Sequence, residues 1–281
     1  MTACTTNNEP LTFKDVALDD SVILEATIHD YNWDTEEDNV REGFSHSYIT
    51  KNTIIATGGN PEAMKFINEY LILEASGEEI DSIINATTVA AGFAKLQAMG
   101  IETIEAALAH RKERFAQEAQ EIEELPYETG NSYEETVEAV FNTTRLLTLH
   151  FSGYEMYAGA AHGMPWSTSI TFDLQKQCKL SIDDMLTAEG QAFALNKIKD
   201  IIEKESGWTE EDYQSMYDGS FPLPYNAPGL YHDGLHFEYG AYEIGPFALG
   251  LPEAVISLDE LSPYFTPKFK ALLDEGEQTK K

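Results

Sequence analysis

The chain has 281 residues, enough for one large domain or two smaller ones, and its 42% hydrophobic and 11% aromatic content excludes global disorder. Lys and Arg total 18 against 49 Asp and Glu, a net charge of −31. The phosphate backbone repels such a surface, so nucleic acid is excluded as the main partner, and anionic membrane surfaces are disfavoured for the same reason. No stretch approaches the ~18 continuous apolar residues of a spanning helix. The two cysteines, Cys4 and Cys178, make neither a disulfide framework nor a thiolate metal site.

Met1-Thr2-Ala3-Cys4 places small residues before a cysteine, as in a lipoprotein processing site, and Thr5 to Pro10 follow as a polar tether. This predicts lipid on Cys4, residues 1–10 as a tether, and an extracytoplasmic place in the bacterial envelope (periplasm or cell surface), with the lipid as the only membrane attachment. Residues 11–60 carry strand signals in Val22–Ile28 and Ser45–Thr50. Asp30, Asn32, Asp34, Glu36 and Asp38 alternate as in a calcium loop. Thr35 stands where the turn glycine belongs and Arg41 where the bidentate Glu belongs, so the run reads as a solvated acidic loop and no metal is assigned. Gly58-Gly59-Asn60-Pro61 breaks the pattern, with Pro61 suited to a first helical turn. Helices are predicted over 62–74 and 78–99, then again from Ile101 through Ile104, Leu108, Phe115 and Ile122, stopped by Pro126.

From residue 131 the alternation of Tyr133–Asn142, Leu146–Phe151 and Ser167–Leu174 predicts neighbouring antiparallel strands. A helix over 189–205 buries Phe193, Ile198, Ile201 and Ile202. Residues 206–229 form a long Gly/Pro/aromatic loop, either a binding loop or an Ω-type excursion. Tyr213, Tyr217, Phe221, Tyr225 and Tyr231 lie in or beside it and are candidate ligand-binding rings, because tyrosine gives contact area with little rotamer loss. Strands at Leu235–Tyr239 and Ala254–Leu258 and a helix over 266–273 complete the chain. Strands with segregated helices and no βαβ rhythm predict an α+β fold, antiparallel sheets packed with helices, in two intimately associated subdomains, 11–130 and 131–281.

No dinucleotide fingerprint, P-loop, nucleophile elbow or zinc-protease motif is present, and no cofactor is implied. In Tyr157-Ala158-Gly159-Ala160-Ala161-His162-Gly163 the small residues permit close backbone approach. His162 reads either as a donor to a partner or as a ring satisfying backbone groups at a strand turn, and a lone histidine without a paired base favours the second. Tyr242, Pro246 and Phe247 form a rigid aromatic corner, which adds Tyr242 and Glu243 to the candidate contacts. Glu238 and Glu243 can pair for acid–base work, since glycosidases use two carboxylates ~5–9.5 Å apart; among 49 acids, however, a chance pair is expected.

Tyr-x-Gly-x-Ala-His-Gly, then Thr171-Phe172-Asp173-Leu174, Leu180 to Leu186, Asp233-Gly234-Leu235 with Tyr242-Glu243-Ile244, and Val255 to Leu261 together resemble the RsiV-like C-terminal domain over about residues 150–265. The family usually has two glycines before Ala-His-Gly, where this chain has Gly159-Ala160. Residues 11–130 more loosely resemble the PdaC-like domain, with a helical insertion. The resemblance implies an extracytoplasmic α+β module. In RsiV the module is the ectodomain of a membrane anti-sigma factor that binds lysozyme; in PdaC-type proteins the modules accompany a peptidoglycan deacetylase domain. Signalling and deacetylase roles are not expected here, since no spanning helix, sigma-binding segment or deacetylase domain is legible. The expectation is a non-catalytic envelope binding protein whose partner is a basic protein such as lysozyme, or a peptidoglycan glycan. Its rivals are a cell-wall hydrolase using paired carboxylates and a purely structural lipoprotein.

Overall fold

The computed structural model describes residues 9–277 except 33, 81, 208, 210 and 213–220, so Cys4, Tyr213 and Tyr217 lie outside the described residues. Its first element is a long antiparallel hairpin of β1 (Thr12–Asn32) and β2 (Glu37–Gly58), in one register from Asn32 opposite Glu37 to Phe13 opposite Ala56, with a one-residue shift before Thr12 opposite Gly58. The strands outrun their sequence signals because Asp15, Asp19 and Asp20 interrupt the apolar alternation without interrupting the backbone ladder. The calcium-like acidic run is the hairpin tip, where the Asn32 side chain accepts from the amides of Asp34 (2.9 Å) and Thr35 (3.4 Å).

Helix α1 (Pro61–Ser76) starts at an Asn60 cap with Pro61 in its first turn and stops at Gly77, whose φ of 70° is left-handed. Helix α2 (Ala86–Ala98) begins later than the predicted 78–99. Asn85 accepts from the amides of Thr87 and Thr88 while the Thr88 hydroxyl accepts from the Asn85 amide, and this capping box fixes the start. Helix α3 (Ile104–Gln120) is capped by Thr103 and ends short of Pro126.

A seven-stranded sheet runs in the order β3-β1-β2-β4-β5-β6-β7, adding β3 (Glu124–Leu125), β4 (Ser132–Asn142), β5 (Leu146–Met156), β6 (Met164–Asp173) and β7 (Cys178–Lys179) to the hairpin. The sheet is continuous across residue 130. The join is the parallel pairing of β2 with β4, where Lys51 lies opposite Glu135, and α1 to α3 form the crossover that parallel pairing requires. The rest of the chain adds α4 (Ile182–Met185), α5 (Ala188–Ser206), β8 (Gly229–Leu230), β9 (Leu235–Glu238), β10 (Glu253–Ile256), α6 (Leu258–Leu261) and α7 (Pro267–Glu277), with β10-β9-β8 as a second sheet. The α+β class expected from sequence is the observed one.

Strand alternation sorts the two faces of the large sheet. Leu147, Leu149 and Phe151 of β5 face α1 to α3, joining Phe66, Tyr70 and Phe172 in one core; the Phe66 and Tyr70 rings meet Phe172 edge-on at 5.8 and 5.2 Å. Leu146, Thr148 and His150 alternate with them and face the C-terminal elements, whose core holds Ile198, Leu235, Phe237 and Phe269. The Leu230 amide donates to Thr171 Oγ1 across this second interface at 3.1 Å. The C-terminal elements cover the β5–β7 end of that face and leave its β1–β2–β4 part open to solvent.

Candidate functional site

Where the small sheet meets the edge of the open face, a cleft of about 390 Å³ opens. Strand registers assemble its floor. Glu138 of β4 lies opposite His150 of β5, His150 opposite Ser169 of β6, and Ser152 opposite Ser167. In β9, Leu235 and Phe237 turn into the core while His236 and Glu238 turn toward the cleft, and β10 adds Glu253.

The polar groups are tied together. Tyr231 Oη lies 2.9 Å from Ser169 Oγ and 3.0 Å from His150 Nδ1, and Ser169 Oγ is 3.1 Å from the same ring nitrogen. The Ser167 hydroxyl donates to Glu238 Oε1 at 2.9 Å, and that oxygen is 3.4 Å from His150 Nδ1. His236 stacks on Tyr231 with centroids 3.7 Å apart and 17° between planes, while its two nitrogens meet Glu253 and Asp233. Burial pushes the Glu238 carboxyl up, but hydrogen bonds from His150, Ser169 and Ser167 outweigh it and hold the group below the usual carboxylate range. Burial lowers His236, yet its hydrogen bonds to Glu253 and Asp233 prevail and raise it. Burial raises the Tyr231 hydroxyl, which stays protonated at neutral pH.

These groups form a fixed polar wall. In a nucleophile–base–acid relay the hydroxyl and the carboxylate take opposite nitrogens of the histidine. Here Ser169, Tyr231 and Glu238 all crowd Nδ1, and Ser169 is itself buried. Three glutamates and no Lys or Arg line the cleft, an arrangement suited to cationic or hydrogen-bond-donating groups. Among the described residues no cluster of three His, Cys, Asp or Glu side chains has metal-ligand geometry.

The sequence candidates are dispersed. Tyr231 is in the cleft. Tyr225 is 92% exposed, and Phe221 turns inward, edge-on to Tyr239 at 5.8 Å. His162, in the turn between β5 and β6, stacks on Phe247 at 4.1 Å and lies 3.5 Å from the Tyr242 hydroxyl. Tyr242 has a left-handed φ of 66°, and the two carboxylate oxygens of the adjacent Glu243 accept from the backbone amides of Tyr225 (2.6 Å) and Gly240 (2.8 Å). Glu243 thus closes a turn, while Glu238 sits in the cleft with Ser167 and His150. His150, Ser167, His236, Glu138 and Glu253 were not among the candidates. Their one sequence signal is a polar residue recurring within an apolar strand, as His150 does between Leu149 and Phe151.

No family model matches the sequence, and no curated protein matches it. Solved structures do. A DUF3298 family protein from Pseudomonas aeruginosa superposes with a TM-score of 0.58 at 19% identity, covering 93% of this chain and 97% of its own. A member of the same family from Bacteroides fragilis superposes with a TM-score of 0.55 at 17% identity, covering 96% and 99%. Over almost its whole length, the chain has the fold of these two DUF3298 family proteins.

Proposed function

We propose that this chain is a non-catalytic binding protein of the bacterial envelope and that its partner is a basic, lysozyme-like protein. The observation that carries the reading is the cleft, in which three glutamates stand without any lysine or arginine and the buried serine and histidine lack relay geometry. A net charge of −31 favours the same class of partner, because a field of that sign speeds encounter with cations. The motif resemblance to the RsiV-like domain supports lysozyme as the first protein to test. We further infer that lipid on Cys4 is the membrane anchor. The intact mass of the protein isolated from its native envelope is expected to carry a diacylglyceryl group, and an unmodified retained Met1 would refute the anchor.

The functional test is direct binding. Hen lysozyme is expected to bind the full chain at low salt, and a Glu138→Gln/Glu238→Gln variant to bind about tenfold more weakly. Peptidoglycan fragments are expected to be neither retained nor cleaved. Turnover of peptidoglycan lost in the same variant would establish the hydrolase instead, and retention of neutral fragments with no response to lysozyme would establish a glycan binder.

A further inference from the structure

The open face of the large sheet has a charge pattern of its own. Along β1 the side chains on this face are Ala17, Asp19, Ser21, Ile23, Glu25, Thr27, His29 and Tyr31. Along β2 they run from Asp38 through Val40, Glu42, Phe44, His46 and Tyr48 to Thr50 and Asn52. The register carries the face on to Glu134, Thr136 and Glu138 of β4. Not one of these positions is a lysine or arginine. Arg41 and Lys51 alternate to the other side, where they meet Glu128 and the pair Glu74 and Glu135.

The same face exposes large apolar groups. Ile23 is 60% exposed, Val40 57%, Phe44 48% and Tyr48 42%. Ile23 lies directly opposite His46, and Phe44 and Tyr48 flank His46 two residues away on each side, so these side chains form one patch. The Phe44 and His46 rings meet edge-on at 6.5 Å. Around the patch stand Asp19, Glu25, Glu42 and Glu134. A sheet face normally covers such a row with a second layer, as α1 to α3 do on the reverse side. With strands ~4.8 Å apart and ~3.4 Å per residue, the surface of these three strands is on the order of 600 Å². A standard interface takes roughly 800 Å² from each partner.

We infer that the open β1–β2–β4 face is a docking surface for a folded basic protein, with Ile23, Phe44 and Tyr48 as its apolar centre and Asp19, Glu25, Glu42 and Glu134 as its charged rim. Aromatic groups ringed by charge are the usual arrangement at the centre of an interface. A second copy of this chain is the wrong occupant, because it would set this acidic rim against its own. Anionic lipid is repelled for the same reason. The inference rests on the proposed basic partner and extends its contact from the cleft, through Glu138, onto the hairpin.

The test compares the full chain with a Phe44→Ala/Tyr48→Ala variant and a Glu25→Lys/Glu134→Lys variant, using hen lysozyme and cytochrome c as cationic probes. All four residues are exposed, so thermal unfolding is expected to be unchanged and confirms that the variants fold. The aromatic variant is expected to bind more weakly by at least about tenfold, mainly through faster dissociation. The charge-reversal variant is expected to associate more slowly at low salt and to lose that difference at high salt. Wild-type binding of a cationic probe with both variants unaffected would overturn the docking surface while leaving the proposed function standing. No binding of either probe by the wild type would overturn both. Self-association abolished by the aromatic variant would assign the face to a second copy and overturn the inference.

Discussion

Lys51→Met is expected to cost about 3–5 kcal/mol of folding stability, the loss typical of a buried ion pair deprived of one partner. Lys51 is 1% exposed, and its ammonium donates to Glu74 at 2.8 Å and also to Glu135, which is 3% exposed and takes a further hydrogen bond from the Tyr133 hydroxyl. The Arg111 guanidinium lies 4.9 Å from the centre of the Tyr133 ring. The cluster sits on the parallel join of β2 and β4 under α1 and α3, so the substitution strands a carboxylate at the seam of the sheet. Burial pushes the Glu74 carboxyl up to about 8, with Lys51 pulling down and Glu135 pushing further up. A carboxyl whose folded value lies above its unfolded one stabilises while protonated. Its contribution is whole below the ordinary 4.5 and is lost as pH rises through about 8. Glu74→Gln keeps an acceptor for Lys51 and removes the titration. Urea unfolding should find this variant close to wild type near about pH 6 and more stable by about 2 kcal/mol above about pH 9. An identical pH profile for both proteins would contradict the assignment.

Asp173→Ala is expected to lose about 3–5 kcal/mol in the same measurement. Asp173 is fully buried and does three jobs. One oxygen accepts from Arg145 Nη2 at 2.9 Å, and the other accepts from the amides of Gln175 (3.1 Å) and Lys176 (2.9 Å), which shapes the turn from β6 into β7. Alanine leaves the guanidinium of Arg145, a residue 8% exposed, without this partner and frees two turn amides. Asp173→Asn keeps an oxygen for the two turn amides but turns an NH2 donor toward Arg145, losing the charge and the Arg145 hydrogen bond, so about half the loss is expected. Equal losses in the two variants would assign the whole effect to the ion pair.

Much of the fold was legible because local physics decided it. Asn60-Pro61 and Gly77 bracket α1, the Leu146–Phe151 alternation gives β5, and acids between apolar residues mark α3 as amphipathic. The predicted start of α2 was early because periodicity alone does not register a capping box; the Asn85 and Thr88 pair does. The parallel join was not legible, since nothing local says that Lys51 will meet Glu135 across 84 residues. The cleft was lost in the same way. His150 and Glu238 belong to different sheets, and their meeting depends on how the C-terminal elements seat on β5 and β6. Glu243 looked like a chemical group because it is an acid beside aromatic residues, yet its carboxylate is spent on two backbone amides. Composition cannot distinguish an acid that fixes a turn from one that faces a ligand.

The proposed preference of this acidic surface for a basic partner is read in the association rate of the full chain with hen lysozyme as a function of salt. Charge acting across a Debye length of about 10 Å at about 0.1 M salt accelerates encounter far more than it slows dissociation. Fast association is expected, falling by about tenfold or more between low and high salt, with a much smaller change in the dissociation rate. Association that is absent at low salt, or present with no dependence on salt, would contradict it.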